Sequence, residues 1–335
     1  MTAEGGGTAP WPETIAIIGA GTMGLGIAEQ FALAGRRVRL TDATAEQARR
    51  AKQHLVARVS GHVAAGLLPS GAIARLDGVE ARDDIPATVA GADFIVEAVP
   101  EERAAKAAVL ALCADHAPRE AVIASNTSSF PIDGLAIFVR EPERFLGTHW
   151  FNPPEWTPGI EVIPHAGTAP GVVARVLAFL GEVGKRPVLV GNGPGFVANR
   201  IQNALFLEAV RCVEEGLASP GEVDAIVRST FGFRLPFYGP FQIADMAGLD
   251  TYARVLETLR RELGERFFVP ALLREQLAQG RVGTKGGAGF ADYTAEERER
   301  LHLDRDRQYA ALAALLQSPS SPPPTGDTQG VAREE

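Results

Sequence analysis

Residues 15–42 read IAIIGAGTMGLGIAEQFALAGRRVRLTD, and this stretch decides the fold of the first part of the chain. It begins with a short apolar run, Ile15 to Ile18, which is typical of a strand buried on both faces. Residues 19–24 then form the pattern G-x-G-x-x-G. Apolar residues recur at helical spacing from about Met23, and a second short strand ends at Asp42. This order of strand, glycines, helix, strand and acid predicts a βαβ unit that binds a dinucleotide.

The glycines of this motif have separate physical roles. Gly19 permits the tight turn, Gly21 lets a pyrophosphate approach the backbone, and Gly24 lets the helix pack closely on the strand. Thr22 and Met23 complete the loop at the start of the helix, where amide N–H groups and the helix dipole favour an anion. The motif therefore predicts where the cofactor phosphates lie.

Asp42 lies where an acidic side chain is expected to bind the ribose 2′-hydroxyl of the cofactor. Because a carboxylate repels a 2′-phosphate, we expect NAD rather than NADP. An alternative is that Asp42 caps the helix that begins near Ala45.

The composition restricts the classes of function. The chain has 335 residues, of which 46% are hydrophobic, and a formal charge of −8, so we expect a soluble protein with two domains. The acidic balance argues against nucleic acid or an anionic membrane as a partner. Cys113 and Cys212 lack metal-ligand spacing, so we expect no metal site. A cytoplasmic location is expected because no signal peptide or membrane-spanning run is apparent.

Strand and helix patterns alternate as far as about residue 190, which predicts an α/β fold with a doubly wound, mostly parallel sheet of Rossmann type. Within this region, residues 67–82 are expected to hold a turn and a short helix. Beyond the turn-rich segment 191–195, apolar residues step by four from Val197 to Val213, which predicts a long helix. We therefore expect disordered residues at 1–12, a Rossmann-type domain at 13–193, an all-α C-terminal domain at 194–316 and a disordered tail at 317–335.

Polar side chains stand at the ends of several predicted strands, where ligands bind in open α/β sheets. The candidates are Glu97, residues 125–129, His149, Asn152 and Glu161. A structural interpretation is open for each of them, because Ser, Thr and Asn commonly cap turns and a single His is commonly structural.

Eight motifs extend across both predicted domains. They are Gly19–Gly26, Val96–Ala98, Ser125–Ser129, His149–Pro153, Glu161–Ile163, Pro194–Arg200, Tyr238–Phe241 and Met246–Asp250. In this order and spacing, they resemble the L-3-hydroxyacyl-CoA dehydrogenase family over about residues 14–293. The resemblance implies NAD-dependent oxidation of the 3-hydroxyl of an L-3-hydroxyacyl-CoA in fatty acid metabolism. It also implies a homodimer that pairs through the helical domain.

The resemblance assigns catalytic roles to four residues. It makes His149 the base and Glu161 its partner, and it places Ser128 and Asn199 around the substrate oxygen. The chemistry is consistent with this division, because an imidazole accepts a hydroxyl proton near neutral pH and a carboxylate on the other ring nitrogen fixes the tautomer. Hydrogen bonds at the substrate oxygen stabilise the developing alkoxide.

The resemblance also assigns contacts with NAD. The matching positions are Asp42, Glu101, Lys106, Ser128, Asn152 and Lys285. Lysine is scarce in this chain, which has four, and two of the four fall on these positions. That favours a functional role over an ordinary exposed charge.

The sequence departs from the CoA-binding members of the family after the second strand. Those members carry a lysine-rich helix and loop there, whereas Lys52 is the single lysine between residues 45 and 93. Since CoA phosphates need cationic partners, the CoA assignment depends on arginines taking the place of lysines. The arginines available are Arg49, Arg50, Arg58 and Arg75.

Residues 153–159, PPEWTPG, also differ from the apolar segment usual in the family. They are similar to relatives that oxidise free hydroxy acids or alcohols, such as L-gulonate 3-dehydrogenase and the pyridoxine-degradation dehydrogenase of this superfamily. The segment 234–237 is similar to the same relatives. Glu155 in the pocket would disfavour an anionic substrate group and Trp156 would stack on a ring, but both could equally face solvent. Residues 286–289 lack the acid usual in the family's closing loop.

Two alternatives therefore remain at the level of sequence. One is the same hydride chemistry on a free hydroxy acid or a small ring alcohol. The other is a catalytically idle NAD-binding structural protein of the crystallin type.

Overall fold

The computed structural model describes residues 11–317, and their first part forms one sheet in the strand order β3-β2-β1-β4-β5-β6-β7-β8. The strands are β1 Thr14–Ile18, β2 Arg37–Thr41, β3 Val79–Ala81, β4 Phe94–Glu97, β5 Val122–Ser125, β6 Phe145–Trp150, β7 Gly159–Pro164 and β8 Arg186–Leu189. All neighbouring pairs in this sheet are parallel except β6 and β7, which are antiparallel. The doubly wound, mostly parallel sheet predicted from the sequence is confirmed.

The helices of this first part connect the strands, and those of the second part follow the sheet. They are α1 Thr22–Leu33, α2 Ala45–Ala64, α3 Ala72–Arg75, α4 Ile85–Val89, α5 Arg103–His116, α6 Ile132–Ala136, α7 Pro170–Glu182, α8 Ala198–Glu214, α9 Pro220–Ser229, α10 Pro240–Ala247, α11 Leu249–Leu263, α12 Ala271–Ala278 and α13 Ala295–Gln317. Short 3-10 turns occupy residues 76–78, 142–144, 265–267 and 284–286. The segment 67–82 contains the predicted turn and short helix, and also β3, which was not predicted.

The core lies on both faces of the sheet because β1 is buried along its whole length. Ile15 and Ile17 belong to the cluster that includes α1, α2 and α7, whereas Ala16 and Ile18 belong to the cluster with α5 and α6. This alternation explains the continuous apolar run in the sequence, since side chains of a strand point to opposite faces in turn.

Trp11 packs against the core of the first unit. Its indole makes edge contacts with Phe94 and Phe179, with ring centroids 6.1 and 5.7 Å apart, and the guanidinium of Arg175 lies 4.1 Å from its ring centre. Disorder is expected for residues 1–12 and 317–335, and all of these except residues 11, 12 and 317 lie outside the described residues.

The chain divides into two compact units, with the division between Phe206 and Leu207 inside α8. The second unit is helical and has its own small core, built on Ala244, Leu249 and Leu273. Ser219 and Glu222 form a capping box at the start of α9. Among residues 11–317, no helix is long and apolar enough to cross a membrane.

Candidate active site

The glycine-rich turn between β1 and α1 has the geometry that its sequence predicts. Gly19 has φ +98°, and a Cβ there would lie 2.6 Å from the carbonyl oxygen of Ala98. A Cβ on Gly24 would lie 1.8 Å from the carbonyl oxygen of Gly19, so α1 packs directly on the turn. In contrast, the space beside Gly21 is open, with no atom within 4 Å of an added Cβ. The turn is therefore closed towards the sheet and open where a pyrophosphate would approach.

A cavity of about 720 Å³ borders this turn. Gly21, Thr22, Met23 and Asp42 line it on one side, and apolar side chains line the rest. The apolar residues are Ile18, Ile85, Val99, Pro100 and Val109. A polar rim with exposed helix amides and an apolar slot beside it fits a dinucleotide, which needs a phosphate cradle and a surface for a flat base.

Asp42 stands at the edge of the cavity with a fixed carboxylate. Its Oδ2 accepts a hydrogen bond from the amide of Ala20 at 2.8 Å, and its Oδ1 accepts one from the amide of Ala43 at 2.7 Å. The cap of α2 is Thr44, whose hydroxyl accepts from the amide of Gln47. The alternative that Asp42 caps this helix is therefore wrong, because the neighbouring threonine does so.

His149 and Glu161 are direct cross-strand neighbours in the antiparallel pair β6–β7. Nδ1 of His149 lies 2.8 Å from Oε2 of Glu161, and both residues are 5% exposed. Oε1 of Glu161 accepts hydrogen bonds from the amides of Val197 and Ala198 at 3.0 and 2.9 Å. Glu161 is thus held at one oxygen by the start of α8 while the other faces the imidazole.

Two phenylalanine rings lie against the imidazole of His149. The centroid of Phe151 is 4.4 Å and that of Phe196 is 5.7 Å from the imidazole centroid. Sequence reasoning did not identify these rings, although both belong to the motifs that carry the family resemblance. Within the part of the chain described, Nε2 makes no hydrogen bond, which leaves it as the nitrogen that can accept a proton.

Ser128 and Asn199 are brought together. Nδ2 of Asn199 donates to the carbonyl oxygen of Ser128 at 2.9 Å, while the Ser128 hydroxyl makes no hydrogen bond to residues 11–317. The β5–β6 pair is parallel, so the loop that carries Ser128 and the end of β6 at His149 lie at the same edge of the sheet. The amide of Trp150 donates to Oδ1 of Asn126 across this edge. The four residues assigned to catalysis therefore form two contacting pairs within one unit, and contacts of their sequence neighbours join the pairs.

Glu101 holds the loop that contains Ser128. One carboxylate oxygen accepts from the Thr127 hydroxyl, from the amides of Ser128 and Ser129, and from the Ser129 hydroxyl, at 2.6 to 3.0 Å. Partial burial acts to raise the pKa of Glu101, but these hydrogen bonds and the ammonium of Lys106 outweigh it and lower the pKa to about 2. Glu101 therefore fixes the loop as an anion.

Lys106 lies beneath the site rather than on its surface. It is 1% exposed, and its ammonium lies 2.8 Å from Oε1 of Glu97 and 3.2 Å from Oε2 of Glu101. The Ser125 hydroxyl donates to the other oxygen of Glu97. The structure thus encloses the ammonium of Lys106 among protein acceptors, and this arrangement favours a supporting position over the direct NAD contact expected from the sequence.

The remaining predicted cofactor residues are more exposed. Asn152 lies two residues after the end of β6 and is exposed, with no hydrogen bond from its side chain to the described residues. Lys285 belongs to the second unit, where its ammonium contacts Asp250 at 2.5 Å. No group of His, Cys, Asp and Glu within residues 11–317 is arranged to hold a metal ion.

The position of Glu155 and Trp156 resolves an ambiguity of the sequence. The Glu155 side chain is 9% exposed, packs on α1 at Gly26 and lies 3.8 Å from the guanidinium of Arg58. Trp156 is 48% exposed and makes an edge contact with His62 of α2. Glu155 therefore joins the loop to the α1–α2 surface, and Trp156 is about half exposed against α2.

Comparison with known proteins agrees with this architecture. The model of the 3-hydroxyacyl-CoA dehydrogenase NAD binding domain matches residues 14–193, and that of the 3-hydroxyacyl-CoA dehydrogenase C-terminal domain matches residues 195–293. Together they cover most of the chain.

Individual relatives act on different kinds of substrate, to judge by their names. A 5-formyl-3-hydroxy-2-methylpyridine 4-carboxylate 5-dehydrogenase of Mesorhizobium japonicum is 37% identical over 305 residues, covering 90% of this chain and 98% of that protein. A 3-hydroxyadipyl-CoA dehydrogenase of Escherichia coli is 36% identical over 295 residues; these are 87% of this chain but 61% of that longer protein.

A crystal structure of the pyridine-type dehydrogenase, described as an NAD⁺-dependent dismutase, superposes with a TM-score of 0.68 at 37% identity. The match covers 92% of this chain and 99% of that one. With the sheet order, the glycine turn and both domain models in agreement, this chain belongs to the 3-hydroxyacyl-CoA dehydrogenase family and is an NAD-dependent dehydrogenase that acts on a CH–OH group.

Proposed function

We propose that this enzyme oxidises the hydroxyl group of a small substrate that does not carry CoA, with His149 as the base. NAD supplies the hydride acceptor. Nε2 of His149 accepts the hydroxyl proton while Nδ1 stays on Glu161, whose negative charge stabilises the imidazolium. The free hydroxyl of Ser128 and the carboxamide of Asn199 donate to the substrate oxygen as its charge develops. Asp42 binds the cofactor ribose, and Asn152 and Lys285 make further cofactor contacts.

The observation that carries the choice of substrate is the charge of the segment between β2 and β4. Residues 45–93 contain six lysine and arginine residues and six aspartate and glutamate residues, so the segment has no net positive charge. CoA carries several phosphate charges, which a protein binds with free cations. A segment with equal numbers of acidic and basic residues does not attract these phosphates, whereas a small substrate without CoA has no such phosphates to bind.

The ion pairs of α2 strengthen this argument. Nε and Nη2 of Arg58 lie 2.8 and 2.6 Å from Oε2 of Glu29, whose side chain is 1% exposed. Moving Arg58 to a phosphate would take the guanidinium partner away from the buried Glu29 and leave the His62 imidazole 3.6 Å from its carboxylate, and losing one partner of a buried pair costs about 3–5 kcal/mol. Arg49 and Arg50 face Asp83 and Glu46 in exposed pairs, which are easily broken, but these acids would also repel a phosphate. Three of the four arginines expected to replace the missing lysines are therefore paired with acids, and Arg75 alone of the four makes no ion pair with the described residues.

An L-3-hydroxyacyl-CoA remains the second candidate, supported by the similarity to the E. coli 3-hydroxyadipyl-CoA dehydrogenase. The pyridine-type relative supports the first candidate, because its name describes a ring carboxylate without CoA. Its description as a dismutase adds aldehydes to the substrates that this chain should be tested with.

The test is NADH oxidation by the purified enzyme with three probes, namely acetoacetyl-CoA, free acetoacetate and 5-formyl-3-hydroxy-2-methylpyridine 4-carboxylate. We expect turnover with one of the free acids and little with the thioester. Fast turnover with acetoacetyl-CoA alone would overturn the proposal in favour of the second candidate. His149→Gln serves as the control, because it should abolish turnover with every probe and leave NADH binding intact.

We also propose that the chain forms a homodimer through α8 and the helical unit. None of the residues of α8 is buried within the described chain, and Ile201, Leu205 and Phe206 are 56%, 42% and 63% exposed. Exposed apolar residues that repeat along one helix face are typical of subunit interfaces. Sedimentation of the wild type and of Leu205→Glu tests this, since the charge should shift a dimer towards monomer.

A further inference from the structure

The segment between β8 and α8 has an unusual backbone. Gly195 and Phe196 both have positive φ angles, of 70° and 50°. A positive φ is easy for glycine, but it is disfavoured for a bulky residue such as phenylalanine. A residue held in this conformation is commonly maintained by its surroundings for a functional reason.

The surroundings of Phe196 include both members of the proposed catalytic pair. Its ring, 3% exposed, packs near the imidazole of His149, and it belongs to the apolar cluster below α5 and α6. The two residues that follow it, Val197 and Ala198, donate their amides to Oε1 of Glu161. One tripeptide thus contacts the base through a side chain and its partner through the backbone.

The left-handed conformation connects these two contacts. The amide of Phe196 donates to the carbonyl oxygen of Gly193 at 3.0 Å, so the chain turns sharply before α8 begins. This turn aims the first free amides of α8 at Glu161, at the helix end where a carboxylate is favoured. Burial of the Phe196 ring offsets the unfavourable φ and at the same time limits water beside His149.

We propose that Phe196 is a positioning residue for the catalytic pair, acting on His149 through its ring and on Glu161 through its left-handed backbone. The proposal rests on the role given above to His149 and Glu161. It deepens that role, because it explains why the carboxylate cannot rotate away from Nδ1 and why the imidazole keeps one orientation while its charge changes.

Two substitutions separate the ring from the backbone. Phe196→Gly removes the ring but adopts a positive φ freely, so the amides of Val197 and Ala198 should stay on Glu161. Phe196→Ala removes the ring and disfavours the positive φ, so these amides should be released. Phe138→Ala is the matched control, because Phe138 packs against the same apolar cluster and makes no contact with His149.

Hydrogen exchange measured by NMR reports how well each contact protects its proton, and it needs no substrate. Its result therefore does not depend on the proposed function. We expect the amides of residues 197 and 198 to exchange roughly tenfold faster in Phe196→Ala than in Phe196→Gly. The Nδ1 proton of His149 should exchange faster than in the wild type in both variants. With a substrate in hand, kcat should fall in both variants while the Kd for NADH is unchanged.

The proposal is overturned if Phe196→Ala leaves the imidazole proton and both amides as protected as in the wild type. It is also overturned if Phe138→Ala exposes them as much as Phe196→Ala, since that would indicate a general loss of packing. Equal loss of amide protection in the Gly and Ala variants would refute the part assigned to the backbone. If Phe196→Ala does not fold, Phe196→Leu retains apolar volume and should expose the imidazole proton while keeping the amides bound.

Discussion

Nδ1 of His149 lies 2.8 Å from Oε2 of Glu161, and the two residues face each other in the register of β6 and β7. This register depends on the antiparallel direction of β7, which brings residues close together in sequence to the same level of the sheet. The loop of residues 151–158 between them is anchored by Lys185, whose ammonium donates to the carbonyl oxygens of Pro154 and Thr157. The distance within the pair is therefore fixed by the sheet as well as by the two side chains.

Glu161→Gln should inactivate the enzyme by reversing the tautomer of His149. The amide oxygen of the new side chain must face the two donors of α8, so its NH₂ group faces Nδ1. Nδ1 then becomes an acceptor, the ring proton moves to Nε2, and Nε2 can no longer accept the substrate proton. We expect kcat to fall by about 10⁴-fold, the scale of the same error in a serine-protease triad.

NMR of ¹⁵N-labelled histidine distinguishes the two tautomers directly. Glu80→Gln is the control, because Glu80 lies on the edge strand β3 with a half-exposed side chain and pairs with Arg82. A Glu161→Gln variant with wild-type kcat, or one that keeps the proton on Nδ1, would contradict this account of the pair.

Asp42 should set the preference for NAD over NADP. Asp42→Ala removes the acceptor for the ribose hydroxyls and also the charge that repels a 2′-phosphate. We expect weaker binding of NADH and stronger binding of NADPH, measured as Kd by quenching of protein fluorescence. Thr44→Ala is the control, since it removes the cap of α2 at a cost of about 1 kcal/mol in stability and should leave both Kd values unchanged.

The sheet and the cofactor turn were predictable from the sequence because their signals are local. Gly19, Gly21 and Gly24 have different steric surroundings in the structure, and each agrees with the role that the motif assigns to that glycine. The strand β3 was missed because three residues are too few to show a period of two. The long helix α8 was predicted from its apolar spacing. That spacing does not show that the apolar residues of α8 remain unburied within the described chain.

The proposed catalytic pair was predicted from the family resemblance, whereas the groups that hold it in place were not. The hydrogen bonds from the amides of Val197 and Ala198 cannot be predicted from residue type, because every non-proline residue has a backbone donor. The contact of the Phe196 ring with His149 joins residues that are distant in sequence, so residue type does not predict it either. The burial of Lys106 was not predicted, for a related reason. A lysine next to a glutamate-rich turn is indistinguishable in sequence from an exposed one, and its burial depends on Glu97 being enclosed at the end of β4.

Glu101 should make the stability of the protein depend on pH in the acidic range. Its folded-state pKa of about 2 is below the usual 4.5, so its contribution to stability is complete above pH 4.5 and is lost as the pH falls towards 2. Glu101→Gln should therefore lower the free energy of unfolding at neutral pH, and the difference from the wild type should shrink below pH 4.5. Urea unfolding at several pH values measures this.

The neighbouring residue provides the control for that experiment. Glu102 is exposed and its side chain makes no cap hydrogen bond at the start of α5, so Glu102→Gln should leave the pH dependence as it is in the wild type. A wild-type protein whose advantage over Glu101→Gln is constant from neutral pH down to pH 3 would show that Glu101 does not hold the Ser128 loop as an anion.

Arg58 should matter for stability and not for recognition of a thioester. Arg58→Gln leaves Glu29 buried without its partner, so we expect a loss of about 3–5 kcal/mol in the free energy of unfolding. Adding Glu29→Gln should recover part of this loss, because it removes the more deeply buried of the two carboxylates that contact Arg58. Arg50→Gln is the matched control on the same helix, and its exposed pair with Glu46 should contribute about 0–1 kcal/mol. If Arg58 instead binds phosphate, Arg58→Gln will raise the KM for acetoacetyl-CoA and leave the KM for free acetoacetate unchanged. In that case the losses of stability caused by Arg58→Gln and by Glu29→Gln will also be additive.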